Sequence, residues 1–437
     1  MKHIVIIGNG ISGATAARHI RKLSSYRITM ISGESEFFFS RTALMYVYMG
    51  HMKFRDTEPY EPHFWRKNRI ELKKAWVKTI ETDLNRVLLD TGETIAYDQL
   101  ILATGSKSNK FGCPGEDLPG VQGLYHKQDL EQLERTAANQ KVCKHAVIVG
   151  GGLIGVELAE MLHSRQIPVT FLVREKSFWN GVLPEENSEL LNYHIKAHGI
   201  DLRLGVTLKE IHSDNQGKVK SVEIAETGEI IHCNFVGLTT GVSPQIALAK
   251  NSGIATNKGI LVNKFLETNC PNIYAIGDCT EQTDPLPHGR KSIEAVWYSG
   301  RMMGETVAQI ITGNRISYKP GHWFNSAKFF DIEYQTYGLV SSRRNIPEFE
   351  AQIHWIHPDK TKGVTLSYDK NNHLFLGINT FGIRMKHETF DQWLNDKITI
   401  YQVITKLEQA QFDPEFYKSY VNNMRPALLE SLPNLAL

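Results

Sequence analysis

Residues 3–20 read HIVIIGNGISGATAARHI, and residues 145–162 read HAVIVGGGLIGVELAEML. In each stretch a run of β-branched and aliphatic residues meets a GxGxxG turn and continues with helical periodicity. A second apolar run follows each helix, RITMI at 27–31 and VTFLV at 169–173. Strand, glycine turn, helix and strand make a βαβ unit, whose crossover is right-handed. Repetition of that unit predicts an α/β fold with two nucleotide-sized sites.

The first turn is Gly8-Asn9-Gly10-Ile11-Ser12-Gly13. Gly8 lets the chain turn tightly, Gly10 lets backbone N–H groups approach a pyrophosphate, and Gly13, with Ala17, lets helix and strand pack closely. The helix N-terminus adds a partial positive charge facing the phosphates. Glu34 lies just past the second strand, where a carboxylate accepts two ribose hydroxyl hydrogen bonds. Gly150, Gly152 and Gly155, with Ala159, repeat the construction. Here Val173 stands where an acid would meet an adenine ribose, followed by Arg174 and Glu175. Arg174 reads either as a fork for a 2′-phosphate or as a solvated surface charge, and Glu175 remains within reach of a ribose hydroxyl.

Thr104-Gly105 and Thr240-Gly241 each close an apolar strand, and a small residue followed by glycine allows close approach of backbone to a nucleotide. Gly277-Asp278 ends the strand NIYAIGD (272–278). Asp278 reads as a ligand for a ribitol hydroxyl or as a helix N-cap.

Outward from these motifs, Ile70–Val77 and Arg86–Leu89 read as short strands around a turn at Asp90–Gly92. Cys113–Gly123 reads as a linker, Val242–Pro244 as a second crossing, and Ile293–Ile311 as a helix. From Pro320 the texture changes to strands at Ser326–Val340, Gln352–His357, Gly363–Tyr368 and Leu374–Asn379, with helices from about His387 onward.

A chain of 437 residues is too long for one core. A net charge of +2 with 22% charged residues argues against nucleic acid as the main partner. No apolar run has the length of a membrane span, and the N-terminus lacks the h-region of a signal peptide. Five scattered cysteines form neither a zinc spacing nor a disulfide framework. The expectation is a cytoplasmic protein, monomer or homodimer, with no metal.

In order and spacing, these elements resemble the pyridine nucleotide–disulfide oxidoreductase superfamily of FAD enzymes over residues 1 to 320. Ser299–Glu305 resembles the helix after the FAD motif in the ferredoxin- and rubredoxin-reductase and apoptosis-inducing-factor branches. The resemblance implies that Gly8, Gly10, Gly13, Glu34 and Asp278 bind FAD. Arg41 and Thr104 would then lie near the flavin, Gly105 would contact the FAD, and the Val77 backbone would meet the adenine. It implies that Gly150, Gly152, Gly155, Glu157, Arg174, Glu175 and Gly241 form an NAD(P)H site, Glu157 at the nicotinamide end. The Arg174 reading favours NADPH over NADH. It further implies a discontinuous FAD domain (1–115 and 244–319), an NAD(P)H domain (116–243) and a C-terminal α+β domain (320–437).

Two departures narrow the chemistry. Thr42 stands where the single-cysteine branch carries its redox thiol, and a CxxxxC motif is absent, so neither thiolate chemistry is available. Tyr46 stands where a lysine often partners the nicotinamide-side glutamate. No catalytic side chain is therefore assigned, and the flavin itself carries the reaction. The expected acceptor is a small redox protein of ferredoxin or rubredoxin type. The alternatives are a quinone, as in NAD(P)H- or sulfide:quinone reductases, or a redox-sensing flavoprotein that switches partners. The quinone alternative needs a membrane-docking tail. The stripe Phe390, Trp393, Leu394, Ile398, Ile400, Val403, Ile404 and Leu407 has helical spacing, but interleaved charges favour a domain core.

Overall fold

The computed structural model describes residues 1–412, 415 and 418–432. By residue contacts the chain forms two compact units. One comprises Met1–Asn109, Gly123–Arg135 and Gly241–Pro320; the other comprises Lys110–Gln122, Thr136–Thr240 and Gly321–Leu437.

The first unit is built on a five-stranded sheet in the order Ile273–Ala275, Gln99–Leu102, His3–Ile7, Arg27–Ser32, Ile70–Lys74. Every neighbouring pair is parallel, and the strands are apolar because helices cover such sheets. The helix Ile11–Leu23 lays Ala14, Ala16, Ala17 and Ile20 into the core. Its small residues also admit the helix Trp297–Ile311, whose Gly300 and Gly304 leave no room for a side chain against Ser12 and Thr15. The predicted strand Ile70–Val77 is instead two strands in different sheets. Ile70–Lys74 ends the parallel sheet, while Val77–Glu81 pairs antiparallel with Arg86–Leu89. The two crossings between nucleotide motifs, Ser106–Ser108 and Val242–Pro244, pair antiparallel with each other.

The second unit repeats the parallel sheet in the order Asp201–Leu204, Val169–Val173, Ala146–Val149, Phe235–Leu238, Val121–Gln122. The last of these strands lies inside the stretch predicted as a linker. From Gly321 the same unit carries a five-stranded antiparallel sheet in the order 324–329, 332–338, 375–381, 363–369, 350–356. The predicted single strand Ser326–Val340 is a hairpin. Phe330 takes a positive φ of 54° and turns the chain between Phe329 and Ile332. Helices His387–Asn395, Ile400–Thr405 and Val421–Glu430 close a separate core on this sheet. The C-terminal apolar stripe lies in that core: Phe390, Trp393, Leu394, Ile400, Val403, Ile404 and Leu407 are buried and Ile398 packs against them. No helix among the described residues is long and apolar enough to cross a membrane.

The glycines of the first motif separate into two kinds. A Cβ on Gly13 would lie 2.0 Å from the Gly8 carbonyl oxygen, whereas one on Gly10 meets nothing within 4 Å. Gly13→Ala should therefore destabilise the cofactor-free protein by about 1–3 kcal/mol through overpacking. Gly10→Ala should leave its melting temperature unchanged, because Gly10 already has an extended conformation open to any residue. Equal melting temperatures for the two variants would contradict this assignment.

Candidate nucleotide-binding sites

The helix Ile11–Leu23 begins at Gly10 with no capping side chain and no acid in its first turn. Its first N–H groups thus remain donors for an external acceptor. Gly8, with φ of 109°, passes so close to Ala103 that a Cβ would meet its carbonyl oxygen at 2.0 Å. These are the properties that a bound pyrophosphate requires of a strand–turn–helix.

Glu34, just beyond the second strand, is held by a fork. Arg41 donates from both terminal nitrogens, at 2.8 Å to Oε1 and 2.6 Å to Oε2, and the Lys127 backbone N–H donates to Oε1 at 2.9 Å. His126 Nδ1 lies 3.5 Å away. Burial disfavours the Glu34 charge, but Arg41, His126 and Lys127 outweigh it and hold the carboxyl well below the usual carboxylate range. A carboxylate has about four acceptor positions. Arg41 and the Lys127 N–H occupy two on Oε1 and one on Oε2, which leaves a position on Oε2 open to a further donor.

Arg41, which the resemblance sets near the flavin, pairs with Glu34 in the structure and lies over the Tyr125 ring at 4.5 Å. Tyr125 donates its hydroxyl to Asp278 Oδ2 at 3.2 Å and accepts from the Ser106 N–H at 3.0 Å. Glu34, Arg41, Tyr125 and Asp278 thus form one contiguous polar chain inside the first unit. Burial pushes the Asp278 carboxyl up, against the Tyr125 hydrogen bond and the Arg41 charge. Asp278 lies in a single turn, Gly277–Cys279, whose N-cap is Ile276, so it is not a helix cap. A desolvated carboxylate is an acceptor for hydroxyl groups, as its bond from Tyr125 shows.

Thr104 donates its hydroxyl to the Gln245 carbonyl at 2.8 Å, and Gly105 has φ of 69° beside the Tyr125 hydroxyl. Val77 opens its strand beside Trp76, whose exposed indole lies directly on Gly33; a Cβ there would be 2.1 Å from the ring. Tyr125 and Trp76 carry no motif and were invisible to sequence reading. Tyr125 sits in a stretch with no periodic signal, and a lone tryptophan reads as core.

In the second unit the helix Leu153–Ser164 likewise starts at an uncapped Gly152 with open space around its Cα. Gly150 and Gly155 are fixed by close approach to Thr239 and to each other. Glu157 and Glu160 share one face of this helix. Burial first, then the Glu160 carboxylate, push the Glu157 carboxyl up to about 7. Glu160 itself meets Lys328 Nζ at 3.4 Å. Arg174 extends into solvent, 76% exposed, and both its Nε and a terminal nitrogen reach Glu175 Oε1, at 3.3 and 2.9 Å. Gly241 has φ of 98° at the point where the chain re-enters the first unit. Thr42 faces the Ser40 hydroxyl at 3.2 Å. None of the five cysteines is paired. Burial raises every thiol, those of Cys113 and Cys143 to about 11 and that of Cys233 to about 12, which disfavours the nucleophilic thiolate.

The Glu34 pair has a testable pH signature. Its folded-state pKa lies below the ordinary 4.5, so its stabilisation is fully present above that value. The stabilisation is lost as pH falls from 4.5 toward the folded value. Arg41→Met should cost about 1–3 kcal/mol at neutral pH by stranding a desolvated carboxylate. The gap between the two melting temperatures should narrow steadily in acid. A gap that stays constant with pH would show that Arg41 stabilises only by packing.

Comparison with known proteins agrees with this arrangement. Residues 2–304 match the family model of the pyridine nucleotide-disulphide oxidoreductases. The chain is 29% identical to rhodocoxin reductase of Rhodococcus erythropolis, covering 93% of this chain and 91% of that protein. It is 30% identical to rubredoxin-NAD(+) reductase of Acinetobacter baylyi, covering 65% of this chain and 74% of that protein. Among solved structures, a ferredoxin reductase from Rhodopseudomonas palustris superposes with a TM-score of 0.81 at 23% identity, over 97% of this chain and all of that one. Two parallel nucleotide-binding sheets, two open glycine turns and these matches lead to one conclusion: the chain belongs to the pyridine nucleotide-disulphide oxidoreductase family and is an FAD-dependent NAD(P)H oxidoreductase.

Proposed function

We propose that the chain delivers electrons from NAD(P)H to a small redox protein of ferredoxin or rubredoxin class. The observation that carries this reading is the pair of open glycine-turn helices without any thiol at Thr42. Gly10 and Gly152 each begin an uncapped helix, and a flavin-only relay needs two nucleotide cradles and no cysteine. The names of two relatives, a rhodocoxin reductase and a rubredoxin reductase, support the acceptor class. Burial of the C-terminal apolar stripe in its own core removes the surface on which the quinone reading relied.

In this reading the first unit is the FAD domain, and residues 110–122 with 136–240 are the NAD(P)H domain. The antiparallel sheet from Gly321, with its helices, is the third module. Gly8, Gly10 and Gly13 bring backbone N–H groups to the FAD pyrophosphate. The free position on Glu34 takes a ribose hydroxyl, Asp278 takes a ribitol hydroxyl, and the Val77 backbone meets the adenine. Thr104 and Gly105 close the flavin end, and Arg41 reaches the cofactor by orienting Glu34. Gly150, Gly152, Gly155 and Gly241 hold NAD(P)H, with Glu157 toward the nicotinamide and Glu175 toward the ribose. The flavin supplies the hydride-accepting ring, and the protein supplies position and electrostatics. Unpaired thiols fit a reducing, cytoplasmic setting.

Anaerobic mixing with NADH or NADPH, followed by challenge with ferredoxin, rubredoxin, a soluble quinone and oxygen, tests the acceptor. Reoxidation of the flavin should be fastest with an iron–sulfur protein; fast reoxidation by quinone alone would overturn the reading. For coenzyme choice, Arg174 favours NADPH through a 2′-phosphate. Arg174→Ala should raise the apparent KM for NADPH about tenfold, the worth of one charge-assisted fork, while leaving NADH unchanged. Equal effects on both coenzymes would return Arg174 to the solvated surface.

A further inference from the structure

His194 and His198 lie one turn apart at the end of the helix Glu185–Ala197, and Asp331 lies in the tight turn after the strand Phe324–Phe329. All three belong to the second unit. Asp331 Oδ1 is 2.7 Å from His194 Nε2 and 3.2 Å from His198 Nε2, and the three atoms lie within 4.8 Å of one another.

The other ring nitrogens determine what these atoms offer. His198 Nδ1 lies 3.0 Å from the His194 backbone carbonyl and donates to it. The Phe329 carbonyl accepts from His194. His194 is buried, and the Asp331 carboxylate faces its Nε2. Each imidazole bonds a backbone carbonyl and presents its Nε2 to Asp331. A backbone carbonyl behind each imidazole is how metal-binding histidines are oriented and their tautomer set. Asp331 Oδ1 and the two Nε2 atoms converge closely enough for one ion to sit among them.

The surroundings keep this arrangement in place. Phe330, at positive φ, stacks on the His198 ring with centroids 4.4 Å apart and an interplanar angle of 23°. Glu160 accepts from the Phe330 backbone N–H and adds negative charge nearby. Asp331 is 74% exposed, so an ion can enter from solvent.

We propose that His194, His198 and Asp331 bind one divalent transition-metal ion of the Zn(II) class, which ties the helix Glu185–Ala197 to the turn at Phe330–Asp331. Two nitrogens and one carboxylate oxygen are ligands of that class, and water completes the shell on the open side. The sequence expectation of no metal considered cysteine spacings; these ligands come from a helix and a hairpin far apart in the chain. The site is separate from the glycine-turn motifs.

The test uses tag-free, FAD-loaded protein stripped with a chelator and titrated calorimetrically with ZnCl₂, with stoichiometry read by native mass spectrometry. One Zn(II) per chain at micromolar affinity or tighter, and a higher melting temperature with metal than with chelator, are expected. Asp331→Asn, at an exposed position, and His198→Gln, at a half-buried one, should each weaken binding by at least about tenfold. Both should melt like the parent in chelator, which separates ligand loss from misfolding. Glu223→Gln, in the other His/Glu cluster at Glu210, His212 and Glu223, should leave the isotherm unchanged. Absence of micromolar binding, unchanged affinity in His198→Gln and Asp331→Asn, or loss of binding in Glu223→Gln alone would overturn the proposal.

Discussion

The first unit depends on how closely backbone can approach backbone around Ser12. Gly13 touches the Gly8 carbonyl, Gly8 touches Ala103, and Gly277 and Gly300 both press on the Ser12 hydroxyl. Four elements distant in sequence therefore meet at a point where no Cβ fits. The first helix must pack against its strand, against the strand end at Ala103 and against the helix Trp297–Ile311. With that contact made, the uncapped N-terminus at Gly10 and the carboxylate of Asp278 belong to one rigid frame, because Asp278 follows Gly277 directly. Interiors packed at this density move as blocks. The site inherits its geometry from the core.

On that frame the polar chain from Glu34 through Arg41 and Tyr125 to Asp278 sets the electrostatics. Its ends have opposite character. Glu34 is held ionised by a guanidinium fork, whereas Asp278 is desolvated and its carboxyl pushed up. Arg41 lies between them, and its charge is maintained against burial by Glu34. An ionised acid and a desolvated acid are both acceptors for hydroxyl groups. They differ in cost: the first is stabilised before any ligand arrives, the second gains most when one does.

The second unit answers a different requirement. Its glycine turn repeats the first, yet its helix Leu153–Ser164 also faces the antiparallel sheet, through Glu160 and Lys328. The neighbouring helix docks on the same sheet through Asn187, which donates to Thr365 at 2.8 Å and accepts from Asn379 at 3.3 Å. Buried amide–hydroxyl contacts of this kind fix register more than they add stability. They hold the hairpin turn at Asp331 against the end of the helix that carries His194 and His198.

Much of this was determined by the sequence alone. Periodicity and glycine spacing are local properties, so two βαβ units, their order, and the roles open to Gly8, Gly10, Gly13, Gly150, Gly152 and Gly155 were readable without coordinates. Interleaved charges correctly marked the C-terminal stripe as core. Side-chain partnership was left to the tertiary structure. Glu34 looked like a free acid because nothing in its neighbourhood announces Arg41 as its fork, nor Lys127 as a donor from another segment. Tyr125 reaches Asp278 across 153 positions, and Asp331 reaches His194 only because Phe330 adopts a left-handed turn inside a stretch that reads as one strand. A residue's own pattern reports which face it occupies. What it bonds to depends on chain segments whose proximity is set by packing, and packing is a property of the whole unit.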